Sequence, residues 1–362
     1  MKRSLRATLV LVALAALAAC APPQPFPSGS SGALFFPADN GARVDAMPAD
    51  CLVSGAACPK PTTLSLYPEE WNVAALTWTP GGGKALVMSA DQPKDHLALL
   101  TPPSRQLQRF ASLAFIGETV WSPDGQLLAV AGSAERGRDG ATTSEGQIEG
   151  SGITLYSAAG KELGNLAAAL PGTKSDLNWL SPDSLLFQNR RSEQDCNLYL
   201  LTVSSGALAP WSEPPLCGAS PAVSPDGAQV ALVRDGNLWL ADADGSKAAP
   251  ILDLSASIAQ PAWSPDGRWI AFDETESAAV GVVHPDGSGY RQVATDVRNA
   301  GFAPLAGESL LLTVTDRPHG SGDATASWYV TSIPGGQPRA VVVPGIPPDQ
   351  MPLDISWRPP RQ

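Results

Sequence analysis

Apolar residues along this chain come in short runs that alternate with clusters of Gly, Pro, Asp and Ser, and helical spacing is hard to find after residue 20. The clearest unit is Pro261 to Glu274, PAWSPDGRWIAFDE. One apolar run ends at Ala262-Trp263, a second occupies Trp269-Ile270-Ala271-Phe272, and Ser264-Pro265-Asp266-Gly267 lies between them. Proline presets φ at the first corner of a turn, aspartate can bond its own backbone, and glycine supplies a positive φ. The stretch predicts two short strands joined by a tight turn.

The unit repeats. Seven copies align on the turn proline: LTWTPGGGKALVM at Pro80, TVWSPDGQLLAVA at Pro123, LNWLSPDSLLFQN at Pro182, PAVSPDGAQVALV at Pro225, PAWSPDGRWIAFD at Pro265, GFAPLAGESLLLT at Pro304 and a truncated ISWRPPRQ at Pro359. Successive prolines lie 43, 59, 43, 40, 39 and 55 residues apart. Most copies are followed by a weaker hairpin, as at Asn237 to Ala241 before Asp242-Ala243-Asp244-Gly245. Four strands at a period of about 40 residues make one propeller blade. The seventh copy holds one strand and its turn. Its missing strands can come from Ala33–Phe36 as second, Cys51–Val53 as third and Thr63–Leu66 as fourth. The expected fold is all-β: a seven-bladed β-propeller of four-stranded antiparallel blades, closed by strands from both chain ends, which removes free sheet edges. Six blades would leave the strand at Trp357 without a sheet and is the second choice.

The Ser-Pro-Asp-Gly turn, the tryptophan two residues before its proline and the following Asp-x-Asp-Gly turn resemble the TolB-like propeller repeat. The turn is complete at Pro123, Pro225 and Pro265, although Val223 replaces the tryptophan in the second of these. At Pro182, Ser184 replaces glycine and Trp179 sits one residue early; the copies at Pro80 and Pro304 lack the Ser-Pro-Asp core. The resemblance covers the region after residue 33 and implies a propeller. TolB itself carries an α/β domain before its propeller, and nothing here is long or helical enough to match it, so TolB's own biology is not carried over.

The first residues are a different object. Lys2, Arg3 and Arg6 precede an apolar run from Ala7 to Ala19, the layout of an export signal. Leu17-Ala18-Ala19-Cys20 resembles a bacterial lipobox, which implies lipidation of Cys20; an ordinary signal peptide with an incidental cysteine is the alternative. Residues 20–32 are Pro-rich, then Gly/Ser-rich, and read as a tether that cannot bury enough surface to fold. The expected organisation is a signal peptide over 1–19, a lipidated tether over 20–32 and a propeller over 33–362. Export sets an oxidising context, in which Cys51, Cys58, Cys196 and Cys217 suggest two disulfides. Of three pairings, Cys51–Cys58 and Cys196–Cys217 need the least chain rearrangement. A metal site is the poorer alternative: there is no Cys-x-x-Cys spacing, and only His96, His284 and His319 could assist. With 24 basic and 35 acidic residues, net charge −11, the chain lacks the basic face that nucleic acid requires.

The repeated tryptophans read as packing between blades, and Asp124, Asp183, Asp226 and Asp266 as turn caps. Residues that break the repeat are more informative. Loops between second and third strands emerge on one rim and differ sharply in length and charge, from Gly132–Gly150 to Arg234-Asp235-Gly236. Arg190, Arg191, Arg234 and Arg317 suggest an anion- or carboxylate-recognising mouth, with Asp235, Glu274 and His319 on the same face. No Gly-x-Ser-x-Gly elbow, His-Glu-x-x-His motif or phosphate-binding glycine loop is present. The expected protein is a non-catalytic, lipid-anchored propeller of the bacterial cell envelope that binds protein, peptide or glycan, without a cofactor. The alternative is a propeller hydrolase or lyase with a carboxylate or metal site in its central channel, where converging acidic loops would suit calcium.

Overall fold

The computed structural model describes residues 26, 32–38, 41–66, 71–89, 94–113, 115–133, 152–192, 195–212, 220–254, 257–277, 279–295, 300–305, 309–314, 325–333, 338–347, 351–352 and 356–358. Six blades are each cut from one continuous segment, and each is an antiparallel meander in chain order. Blade one is Val73–Trp78, Ala85–Ser89, Asp95–Leu100 and Leu107–Leu113; blade two is Phe115–Trp121, Leu127–Ser133, Gly152–Ser157 and Glu162–Leu166. Blade three is Thr173–Ser181, Ser184–Arg190, Cys196–Thr202 and Ala207–Pro210; blade four is Ala222–Val223, Gln229–Arg234, Asn237–Asp242 and Ala249–Leu252. Blade five is Ile258–Trp263, Ile270–Glu274, Ala279–Val283 and Arg291–Ala294. Blade six is Ala300–Leu305, Ser309–Val314, Thr325–Ser332 and Arg339–Ala340, with Met351–Pro352 also pairing with its third strand.

A further sheet is composite. Ala33–Ala38, Arg43–Pro48 and Thr62–Leu64 give it three strands, and Ser356–Arg358 pairs along the open edge of the first, Ala33 opposite Arg358 and Phe35 opposite Ser356. Two of the N-terminal strands fall where the sequence puts them, and the third does not. Asp50–Ser54 is a short helix (α1) and the strand is Arg43–Pro48. Cys51-Leu52-Val53 is apolar, but a run that short cannot separate strand from helix by periodicity. Gly55, at φ 75°, ends α1 in the left-handed region and donates its N–H to the Cys51 carbonyl at 3.2 Å. Cys51 is bonded to Cys58, and both sit in an apolar cluster with Leu34, Met47 and Trp328. Cys196 is also disulfide-bonded; Cys217, expected as its partner, lies outside the described residues, as do Cys20, Arg317 and His319.

First strands of successive blades abut one another, so the first strand of each blade is innermost. The apolar clusters lie between blades: Leu86 and Leu97 of blade one pack with Trp121, Leu128 and Val130 of blade two, and Ala129 and Leu155 of blade two with Trp179 and Phe187 of blade three. The repeated tryptophan bridges the same gap. The indole N–H of Trp121 donates to the Thr77 carbonyl at 3.2 Å, that of Trp179 to Val120 at 3.2 Å and that of Trp263 to Ala222 at 2.9 Å, in each case on the innermost strand of the preceding blade. Trp78 keeps the position between Phe35, 4.8 Å away, and the Arg358 guanidinium, 4.5 Å from its ring. These side chains are more than nine-tenths buried and make the repeat a packing device.

The Ser-Pro-Asp-Gly turns share one hydrogen-bond network. In blade five the Ser264 hydroxyl donates to Asp266 at 2.6 Å and accepts from the Trp269 N–H at 2.9 Å, while the Arg268 N–H donates to Asp266 at 3.1 Å. The same bonds recur at Ser122/Asp124 and Ser224/Asp226. Partial burial pushes the Asp266 carboxyl up, but the bonds from Ser264 and Arg268 outweigh it and hold it at about 2. These carboxylates cap turns, as the sequence suggests.

Candidate functional site

Two rims with different chemistry follow from strand parity. One carries the turns joining first to second and third to fourth strands, and those turns are bonded to each other. The Ala158 N–H donates to the Gln126 carbonyl at 2.8 Å, Val203 to Asp183 at 2.9 Å and Ala243 to Ala228 at 2.9 Å. Between blades, the Lys84 ammonium of blade one donates to the Ala158 carbonyl of blade two at 2.6 Å. Gly227 and Gly287 sit there at φ 72° and 81°, and a Cβ on either would meet a carbonyl oxygen of the neighbouring blade at 2.3 Å and 2.5 Å, so the turns nest closely. This is the turn rim.

The opposite rim carries the loops between second and third strands and the links from blade to blade. The Thr275 N–H donates to the Ser257 carbonyl at 3.0 Å, the Ile258 N–H to Gly236 at 2.9 Å and the Val73 N–H to Gly41 at 2.9 Å. This is the loop rim, and of the residues expected to recognise a ligand it holds Arg190, Arg191, Arg234 and Asp235, with Glu274 just beneath it; Arg317 and His319 lie outside the described residues. Arg190 ends the second strand of blade three. Arg191 pairs with Asp195 at 3.2 Å across its own hairpin. Arg234 lies 3.7 Å from Asp235 and stacks over Trp239 at 4.9 Å. The structure brings Arg190 and Arg191 together on one hairpin and Arg234 with Asp235 on the next, and partners from their own blades engage Arg191 and Arg234.

Glu274 differs from the rest of that set. It is 2 % exposed and accepts three hydrogen bonds, from the Tyr290 hydroxyl, the Gln292 amide and the Ser277 hydroxyl, each at 2.8 Å. Burial, and then the bond and charge of Glu274, push the Tyr290 phenol up to about 12. Glu274 ties the second strand of blade five to its fourth strand beneath the rim.

Three further features were not legible as sites in the sequence. The first is a cleft of about 350 Å³ on the loop rim between the composite sheet and blade one, lined by Arg43, Val44, Leu64, Leu66, Trp71 and Val73 among others. Trp71 is 5 % exposed, its ring faces the Arg109 guanidinium at 5.2 Å and the His96 ring at 5.8 Å, and its indole N–H has no partner among the described residues. Arg43 holds Asp45 through both nitrogens at 3.2 Å and 3.3 Å, and Thr63 donates to the same carboxylate at 2.7 Å. The lining is mixed, polar from Arg43 and Ser65 and apolar from Val44, Leu64 and Leu66, as small-molecule and peptide clefts commonly are.

The second feature is a pair of acids on neighbouring innermost strands, Glu118 of blade two and Asp176 of blade three. Burial pushes Glu118 up against the pull of the Leu177 N–H, which donates to it at 3.1 Å, and the charge of Asp176 pushes it further. Burial likewise pushes Asp176 up, opposed by the Ser175 hydroxyl and the charge of Arg190. Both sit where the innermost strand slips register, three residues before the tryptophan; Gln260 of blade five occupies the same place at φ 49°, and Asp176 itself is at φ 53°. The aligned copies do contain this column (Ala75, Glu118, Asp176, Ser220, Gln260), but its signal is a backbone irregularity and not a residue type. The third feature is Lys174, 4 % exposed, whose ammonium donates to the Leu170 carbonyl and to that of Gly172 at 2.8 Å. Burial brings it down to about 8.

Among the described residues no group of three or more His, Cys, Asp or Glu is placed to hold a metal ion, and no helix is long and apolar enough to cross a membrane. No protein-family model matches the sequence, and no curated protein matches it either. Solved structures do resemble it. A TolB protein of Agrobacterium tumefaciens matches at 18 % identity over 72 % of this chain and 87 % of its own, with a TM-score of 0.47. An acylaminoacyl peptidase of Pyrococcus horikoshii matches at 14 % identity over 88 % of this chain, with a TM-score of 0.58, and this chain spans about half of that enzyme's length (52 %). An oligogalacturonate lyase solved with manganese matches at 15 % identity over 88 % of this chain and 87 % of its own, with a TM-score of 0.55. At these identities the likeness is one of fold: a β-propeller.

Proposed function

We propose that this protein is a non-catalytic recognition module of the cell envelope, anchored by lipid at Cys20, which binds a protein, peptide or glycan on its loop rim. The observation that carries the reading is the asymmetry of the rims. The turn rim spends its polar groups on its own turns, whereas the loop rim varies from blade to blade and holds the cleft at Trp71. Loops on a rigid scaffold are where binding residues concentrate. The ring is proposed to be seven-bladed, with the composite sheet as the seventh blade; the pairing of Ala33–Phe35 with Ser356–Arg358 supports it.

A second reading, a propeller hydrolase or lyase, is favoured by one observation: Glu118 and Asp176 are partly buried, neighbouring carboxyls whose affinity for protons is raised, a feature common at catalytic sites. Crosslinking the full chain in its own cells, followed by mass spectrometry of what is captured, separates the two. A reproducible partner joined through loop-rim residues near Arg190, Arg191 or Asp235 is expected. Crosslinks to itself alone, with glycan or peptide turnover that Glu118→Gln abolishes, would replace the recognition reading with the enzymatic one.

A further inference from the structure

The point at which the tether joins the propeller fixes which rim faces an anchored membrane. Phe26, in the Pro-rich segment expected to be unfolded throughout, packs against Phe35 with ring centroids 6.5 Å apart, and the Arg105 guanidinium lies 5.7 Å over its ring. Arg105 belongs to the turn between the third and fourth strands of blade one, which is on the turn rim. The strand that receives the chain, Ala33–Ala38, begins beside Arg358, and the Arg358 guanidinium donates to the Gly82 carbonyl at 2.9 Å, in the turn between the first two strands of blade one. Two contacts, Arg105 over Phe26 and Arg358 on Gly82, therefore place the entry of the N-terminal segment on the turn rim.

We infer that, on the lipid-anchored reading above, the turn rim faces the bilayer and the loop rim faces away from it, so that the partner arrives from the aqueous side and not from the lipid surface. Chain length makes this restrictive. Phe26 is six residues beyond Cys20, and six residue steps span at most about 20 Å even when fully extended. A blade is about as tall as its strands are long, roughly 20 Å. An anchor of that reach, pinned at the turn rim, holds that rim at the headgroups and lifts the cleft at Trp71, Asp235 and Thr275 beyond them. The turn rim also carries Asp124, Asp226, Asp244, Asp266 and Asp286, so the tether, and not adsorption to anionic lipid, sets the distance.

The test uses the full chain produced in a lipidating bacterial host and placed in phosphatidylethanolamine–phosphatidylglycerol vesicles containing an acceptor dye on the headgroup. Donor dyes are attached at Ala159→Cys on the turn rim and, separately, at Glu276→Cys on the loop rim; both residues are exposed. Energy transfer severalfold stronger from position 159 than from position 276 is expected, and Phe26→Ala should narrow that ratio without releasing the protein from vesicles. Intact mass reports acylation of Cys20 in parallel. Acylated protein with equal transfer, or stronger transfer from 276, overturns the orientation alone. Protein that is not acylated and does not bind vesicles overturns the anchoring, and the orientation with it.

Discussion

The two rims are built from the same blades, but their polar contacts recur from blade to blade on one and differ on the other. On the turn rim, Ser264 and Asp266 and their counterparts at Ser122/Asp124 and Ser224/Asp226 satisfy backbone groups of their own turn. Such residues recur because each blade has the same local problem to solve. On the loop rim the described hairpins differ in length: Gly236 closes a tight hairpin in blade four, whereas Arg191–Asp195 spans a longer one in blade three. Repetition marks what holds the ring together, and its failure marks the surface proposed for recognition.

Substitutions can break or sharpen that contrast. The largest effect is expected at the interblade tryptophan: Trp263→Ala removes a buried indole and its bond to Ala222 and should cost about 3–5 kcal/mol in denaturant unfolding. A loss within about 0.5 kcal/mol, the usual surface value, would show that the column does not hold blades together. Next comes Glu274→Ala, which strands the Tyr290, Gln292 and Ser277 donors and should cost roughly 1–3 kcal/mol while leaving partner affinity unchanged. An affinity loss at unchanged stability would return Glu274 to the recognition face.

Acid sensitivity follows in size. The Asp266 carboxyl is held at about 2 in the fold, below its unfolded value of roughly 3.9, so its contribution is fully present above that value and is lost as pH falls toward 2. The side chain is partly exposed, which shrinks the effect. Ser264→Ala should flatten the loss of melting temperature between about pH 4 and 2. Glu118 and Asp176 carry the opposite sign. Their raised affinity for protons means that stability rises as pH falls through the folded value. Glu118→Gln and Asp176→Asn should therefore each raise the melting temperature slightly at pH 7, a gain that disappears near about pH 4, where the unfolded acids are also half protonated. The smallest stability effect is expected at Asp235→Asn on the loop rim, which keeps a residue tolerant of the left-handed conformation at φ 51°, within about 0.5 kcal/mol.

The fold was legible because its signals are local. Serine, proline, aspartate and glycine at fixed offsets specify a turn whatever surrounds them, and a period of about 40 residues specifies a blade. The composite sheet was readable in part: Ala33–Phe36 falls within the strand Ala33–Ala38, and Thr63 and Leu64 within Thr62–Leu64. Cys51–Val53 misled because helix and strand look alike over three apolar residues; the better signals were Asp50 in the first turn and Gly55 just after the end of α1. The site was less legible because its determinants are distant in sequence. Glu274 lies among charged loop residues, and only Gln292, at the start of the fourth strand of its blade, and Tyr290, just before that strand, show that it is buried. Trp71 belongs to no repeat position, and its cleft exists only once the composite sheet sets Arg43 and Leu64 beside it.

The most direct test of the division between rims is amide hydrogen exchange of the full chain with and without the partner captured from its own cells. Slowed exchange at loop-rim amides such as Gly236 and Thr275 and around Trp71, with Ser122–Leu127 and Ser264–Trp269 unchanged, is the predicted result. Protection confined to those turns would mean that the repeated rim is the recognition surface, and the account would be wrong.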